Sequence, residues 1–313
     1  VPSIDISNVT KRYGTETALD GLSLSVERGE IYGFLGPNGA GKSTTINLLL
    51  DFIRPTTGEV RVFDLDAQAD SLEIRQRTGI LPEGAELYER LTGRQHVEFA
   101  IESKGADDDP DELIERVGLS PDAAAKKAGG YSKGMAQRLT FATALVGEPD
   151  LLILDEPSTG LDPNGARRMR EIIREENERG ATVFFSSHVL GQVEAVCDRV
   201  GILRDGDLIT EDTVEGLRDS MPDQTRLRVT LDRIPDDSDA ALAAVEAIDG
   251  VSSVTPEGRS LVVACEDRAK TEVLHVVEEY GVTVEDFETD ESSLEDLFVA
   301  YTTGADGGRE VVR

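Results

Sequence analysis

Cysteine is almost missing from this sequence, occurring only at Cys197 and Cys265. Two thiols so far apart in sequence define neither a disulfide framework nor a thiolate metal site, and they fit a reducing interior compartment. Long apolar runs are missing too. The longest are short pieces such as Leu151–Leu154, well below the about 18 to 20 consecutive apolar residues of a membrane helix. A membrane span is therefore not expected. Residues Val1–Thr10 are acidic and polar and lack the basic and then apolar order of a secretory leader, so export is not expected either.

Basic residues are in short supply. The 62 acidic residues outnumber the 32 basic ones and leave a formal net charge of −30, which argues against broad electrostatic binding to nucleic acid or anionic lipid. The charge is spread along the chain, and local bursts such as Asp107–Asp109 read as solvated loops rather than an acidic tail. Lysine is the scarcest charged residue, at 7 against 25 arginines, and tryptophan is absent. A heat-adapted surface enriches Lys together with Glu, which is not the pattern here. A high-salt cytoplasm, where self-repulsion is screened within a few ångströms, fits better. The composition reads as a halophile's.

Against these absences stands a complete phosphate loop. Gly36-Pro37-Asn38-Gly39-Ala40-Gly41-Lys42-Ser43-Thr44 matches G-x-x-x-x-G-K-[ST], with a short apolar strand at 31–35 before it and a helix starting near Thr44 after it. Its glycines let backbone N–H groups curl around a polyphosphate, and the helix amino terminus adds favourable partial charge. Lys42 is placed to reach the β- and γ-phosphates, and the Ser43 hydroxyl to hold Mg²⁺. The bland alternative is a Gly-rich turn joining a strand to a helix.

A second acidic site follows. Leu151-Leu152-Ile153-Leu154-Asp155-Glu156 is an aliphatic strand ending in two carboxylates, where an open α/β sheet presents its ligands. Asp155 suits Mg²⁺. Glu156 suits the orienting and polarising of an attacking water. In so acidic a chain the competing explanation is a strand that merely ends in solvated acids.

Length allows two domains. Residues 1–217 carry all the phosphate motifs in an α/β alternation. Residues 218–303 change texture: a strand at 226–231, a helix at 238–248, a hairpin of 251–254 with 261–264 across Pro256-Glu257-Gly258, a helix at 268–280 and a strand at 282–287. That β-α-β-β-α-β order predicts a small α+β ferredoxin-like domain. The Gly-rich, charged stretch 304–313 reads as a frayed, flexible tail.

Motif order narrows the class. After the carboxylates come Pro157-Ser158-Thr159-Gly160-Leu161-Asp162 and a strand at 182–186 leading to His188; upstream lies Tyr131-Ser132-Lys133-Gly134-Met135-Ala136-Gln137-Arg138. This resembles the signature, Walker B, D-loop and H-loop succession of ABC ATPases. With the accessory domain and Leu294-Glu295-Asp296-Leu297-Phe298, it is similar to the drug-resistance and sodium-exporter ATPases of the daunorubicin-resistance type. The resemblance implies a P-loop NTPase domain of ABC type with a helical subdomain, hydrolysing ATP with Mg²⁺. It implies that Ser132 and Gly134 contact the γ-phosphate bound to the other copy of a homodimer, that His188 contacts the one in its own, and that Tyr13 stacks on adenine. Ser132 also qualifies as the N-cap of a helix at 135–145. Tyr131 and Lys133 replace the leucine and first glycine of the broad signature, in a Ser-Lys-Gly-Met form similar to this exporter branch. Glu83 stands where most members have the Q-loop glutamine and, as a carboxylate, can hold Mg²⁺ or water. His96 and His275 read as structural.

Three function classes compete. The leading one is the motor of a transporter, peripheral on the cytoplasmic face and driving an integral membrane permease on a separate chain, in the export direction by resemblance. A soluble ABC ATPase acting on DNA or ribosomes is the alternative. The 112 residues from Ser43 to Asp155 leave no room for the coiled coil of chromosome-associated members, and translation-type members carry two cassettes and meet RNA, so no nucleic acid is expected. A metabolic kinase would need an acceptor pocket, for which the sequence offers no candidate.

Overall fold

The computed structural model describes residues 1–84, 86–219, 225–235 and 237–291. The sequence pattern at Leu294–Phe298 and the expected tail at 304–313 lie outside the described residues. The chain divides into two compact units, Val1–Val214 and Glu215–Arg313.

A six-stranded sheet forms the centre of the first unit. Its strand order is Asp207–Thr213, Arg199–Arg204, Ile31–Leu35, Thr182–Ser187, Leu151–Asp155 and Thr78–Leu81. All neighbours run parallel except the first pair. Every residue of the three central strands is buried, as covering a parallel sheet on both faces requires. Phe184 packs between Tyr32 and Phe34, with ring centroids 5.9 and 5.2 Å away. A second sheet, antiparallel, orders Glu16–Val26, Ile4–Tyr13, Thr57–Val62 and Leu65–Asp66. Its inward Ile4, Ile6, Val9, Leu22 and Val60 join the same core as Phe34 and Phe184.

The phosphate-loop helix runs Lys42–Leu49, two residues earlier than its apolar pattern suggests, because Gly41 caps it at φ 111°. A Cβ on Gly41 would lie 2.8 Å from the Ala18 carbonyl oxygen. Both the backbone angle and the close approach demand glycine here.

Helices Gly93–Lys104, Pro110–Arg116, Pro121–Ala125 and Lys133–Leu145 build a helical subdomain. Each starts on a side-chain cap that accepts a backbone N–H: Thr92, Asp109, Ser120 and Ser132. Thr92 and Gln95 form a full capping box. One tie to the core is Arg116, 2.6 Å from the buried Glu176 carboxylate on helix Pro163–Glu178.

In the second unit, strands order Val251–Glu257, Ser260–Cys265, Thr225–Leu231 and Val284–Glu291, all antiparallel. This is the sheet order of the split β-α-β-β-α-β arrangement. Helices Ser238–Glu246 and Lys270–Glu279 supply Val245, Val273 and Val277 to a core with Val229 and Val263. The hairpin strand extends past Val254 through Pro256, which an edge strand tolerates because no partner needs the missing N–H.

Candidate functional site

The sheet topology brings three chain segments together at the carboxyl ends of adjacent strands. The loop Gly36–Thr44 leaves Ile31–Leu35, Glu156 follows Leu151–Asp155, and His188 follows Thr182–Ser187. Strand ends of an open α/β sheet are where such folds hold ligands.

Lys42 is buried to 7% exposure. Its ammonium donates to the carbonyls of Gly36 at 2.7 Å and Pro37 at 3.3 Å, and lies 3.7 Å from Glu156 Oε1. Its charge is thus aimed into its own loop. The Ser43 hydroxyl donates to Asp155 Oδ2 at 3.3 Å, a hydroxyl and a carboxylate oxygen side by side. That donor set suits Mg²⁺, a hard cation that takes oxygen ligands and fills its other positions with water and substrate phosphates. Among the described residues no cluster of three or more His, Cys, Asp or Glu could hold a metal by itself.

Glu156 sits at φ 47°, a left-handed conformation that costs a non-glycine residue on the order of 1–3 kcal/mol. The backbone is held there because its N–H donates to the Ser186 carbonyl at 3.2 Å. The buried carboxylate is bracketed. His188 Nδ1 lies 2.7 Å from Oε1, and the Ser187 hydroxyl donates toward Oε2 at 3.5 Å. On the neighbouring carboxylate, the Ser186 hydroxyl donates to Asp155 Oδ1.

A cleft of about 570 Å³ opens beside the loop, lined by Tyr13, Glu16, Thr17 and Ala18, by Asn38, Gly39 and Gly41–Thr44 of the loop, and by Glu83 and Asp205. Tyr13 is 47% exposed, with the Lys11 ammonium 4.9 Å from its ring centroid. The cleft therefore gathers an aromatic face, a phosphate loop and a carboxylate in one space. Ser132 and Gly134 do not line it. They start helix Lys133–Leu145, where a Cβ on Gly134 would lie 2.9 Å from the Gly160 carbonyl oxygen. Gln137 ties the same helix to the segment after Glu156 by donating to the Pro157 carbonyl at 2.9 Å.

The two departures in the signature have local explanations. The Tyr131 hydroxyl donates to the Ala123 carbonyl at 2.5 Å and packs where Gly93 has no side chain. The stem of Lys133 lies over Gly160. His96 is buried with both nitrogens used, Nε2 accepting from the Tyr88 N–H at 3.0 Å and Nδ1 lying 2.8 Å from the Thr92 carbonyl. Sequence reasoning missed Ser186 and Ser187. Their one signal was position, immediately before His188 at the end of a buried strand.

Comparison with known proteins adds two domain families. Residues 19–159 match the ABC transporter family, and residues 213–302 match the C-terminal domain of ATP-binding proteins like DrrA1-3. The daunorubicin resistance ATP-binding protein DrrA3 of Streptomyces coeruleorubidus is 35% identical over 311 residues, 97% of this chain and 96% of that protein. The linearmycin resistance ATP-binding protein LnrL of Bacillus subtilis is 32% identical, over 96% and 98% of the two chains. Among solved structures, the post-hydrolysis dimer of the ATP-binding cassette MJ0796 with ADP and Pi matches at TM-score 0.62 and 27% identity, covering 67% of this chain and 98% of that one. Phosphate loop, paired carboxylates, signature order and full-length similarity converge: the chain belongs to the ABC transporter ATP-binding proteins, ATPases with an added DrrA-like C-terminal domain.

Proposed function

We propose that this chain is the ATP-hydrolysing subunit of an exporter, driving a separate membrane permease through head-to-tail pairing of two copies. The observation that carries this reading is Glu156, buried between Lys42 and His188, while Ser132 and Gly134 stand at the start of a separate helix, Lys133–Leu145. One chain supplies the base and the phosphate loop. A second copy is needed to bring signature groups to the nucleotide.

On this reading adenine stacks on Tyr13, and the triphosphate lies along Gly36–Thr44. Lys42 exchanges the Gly36 and Pro37 carbonyls for the β- and γ-phosphate oxygens, a charge-assisted contact in place of neutral ones. Ser43 and Asp155, with Glu83 at the cleft wall, would hold Mg²⁺, which would supply positive charge against the phosphates. Glu156 orients the water and takes its proton as the water attacks the γ-phosphorus and the bond to the bridging oxygen breaks, releasing ADP and phosphate, while His188 holds the carboxylate and the γ-phosphate in register. Ser132 and Gly134 of the second copy close the site. Among the described residues no helix is long and apolar enough to cross a membrane; on this reading a permease on another chain, with this subunit peripheral on its cytoplasmic face, completes the transporter. The export direction is supported by the name of one relative, the fluoroquinolones export ATP-binding protein Rv2688c of Mycobacterium tuberculosis, 40% identical over 69% of this chain and 72% of that protein.

Binding and turnover measured separately test the assignment. Glu156→Gln is expected to bind ATP and turn over at least 100-fold more slowly, whereas Lys42→Ala is expected to lose binding. Full turnover in Glu156→Gln, or co-purification of the native chain with no membrane protein, would overturn it.

A further inference from the structure

We infer that Ser187 is a positioning residue for Glu156 and that Gln192 competes for its hydroxyl proton. The inference rests on the reading of Glu156 as the base. Ser187 is fully buried at the end of strand Thr182–Ser187. Its backbone is fixed by pairing with Leu35 and by accepting the Gly36 N–H at 3.3 Å, so its side chain is locked to the phosphate loop's first residue.

Three polar groups surround its Oγ. The Val189 N–H donates to it at 3.0 Å. Gln192 Oε1 lies 3.2 Å away and Glu156 Oε2 3.5 Å away. A serine hydroxyl has one proton, and both of these oxygens are acceptors. The two bonds are alternatives: a proton given to Gln192 is withheld from Glu156.

The geometry favours Gln192 by distance while Oε1 of Glu156 is served by His188 and faces Lys42. When phosphate draws Lys42 away, the carboxylate loses a counter-charge, and a donor to its other oxygen gains value. The Ser187 proton then turns to Oε2, so that His188 and Ser187 hold both carboxylate oxygens and fix the plane facing the water. Ser187 is fully buried, so its role reaches turnover through Glu156 and not through contact with the nucleotide.

Steady-state kinetics on the full chain test this with substitutions at both positions. Ser187→Ala is expected to lower kcat about 10- to 100-fold, the loss of one hydrogen bond to a charged group, with KM for ATP unchanged. Gln192→Leu frees the proton for Glu156 and is expected to raise kcat. Gln192→Glu is expected to lower it, because a carboxylate holds the proton more strongly than an amide oxygen. In the Ser187→Ala background both Gln192 changes are expected to become silent, which a merely structural role would not produce. Gln192 variants that shift kcat in the same direction or not at all, or that act undiminished without the Ser187 hydroxyl, would overturn the inference. Should Ser187→Ala not fold, the opposite signs of the two Gln192 variants decide alone. Turnover that survives Glu156→Gln would instead overturn the function on which the inference rests.

Discussion

At Ser132 two jobs fall on one hydroxyl. It accepts the Met135 N–H at 3.2 Å as the cap of helix Lys133–Leu145, and on the proposed reading it also meets the γ-phosphate of a second copy. The jobs can be separated. Ser132→Ala is expected to cost about 1 kcal/mol of stability as a lost cap and to lose ATP turnover. Ser132→Asp keeps a capping oxygen but sets a negative charge against phosphate, so its melting temperature is expected to match the native protein's while turnover is lost. Turnover retained in Ser132→Asp would remove Ser132 from the nucleotide's surroundings. That Lys42, Ser43, Asp155 and Glu156 come together was legible because loop chemistry and a strand ending in carboxylates are local patterns. Ser186 and Ser187 were not. Ser186 matters because strand register sets it beside Asp155, and no local pattern contains that register.

Among the elements, the segment after the Glu83 turn carries exposed apolar groups, as do Phe52 and Leu72 elsewhere in the first unit. Tyr88 is 66% exposed and Phe99 58%, with Leu87 and Leu91 half-buried. Tyr88 is held by its N–H bond to His96 and by stacking on that ring at 6.0 Å, so the ring is presented rather than loose. Exposed apolar patches usually mark interaction sites, and on the proposed function the permease contact is expected within residues 83–130. Tyr88→Glu is expected to leave the basal ATPase of the isolated subunit intact and to abolish co-purification with the membrane protein; unchanged co-purification would refute the contact. Strand Thr78–Leu81, just before that turn, is pinned against the signature helix: a Cβ on Gly79 would lie 2.0 Å from the Ala144 carbonyl oxygen. Gly79→Ala is expected to destabilise by about 1–3 kcal/mol through overpacking, read as a lowered melting temperature. The antiparallel sheet of the first unit was not readable, whereas helix and strand order in the second unit was. Element ends were less so, as at Lys42 and Pro256, because a left-handed glycine and an edge position are tertiary facts.

The whole molecule carries a formal net charge of −30, and its sign bears on stability. One instance is local: burial, with Asp20 and Asp205 nearby, holds the Asp207 carboxyl above the usual carboxylate range. Counter-ions relieve such repulsion, and the Debye length falls to about 3 Å at 1 M salt. Melting temperature is therefore expected to rise steeply from tenths of molar to molar KCl; a flat response would remove the high-salt reading. Pairing of two copies sets like charges against each other, so it too is expected to need salt. The most direct measurement is the molar mass by light scattering of Glu156→Gln in high KCl, with and without ATP. The account predicts a monomer without nucleotide and twice that mass with it, since only a second copy brings Ser132 and Gly134 to the phosphates. A monomer under both conditions, with ATP shown to be bound, would contradict it.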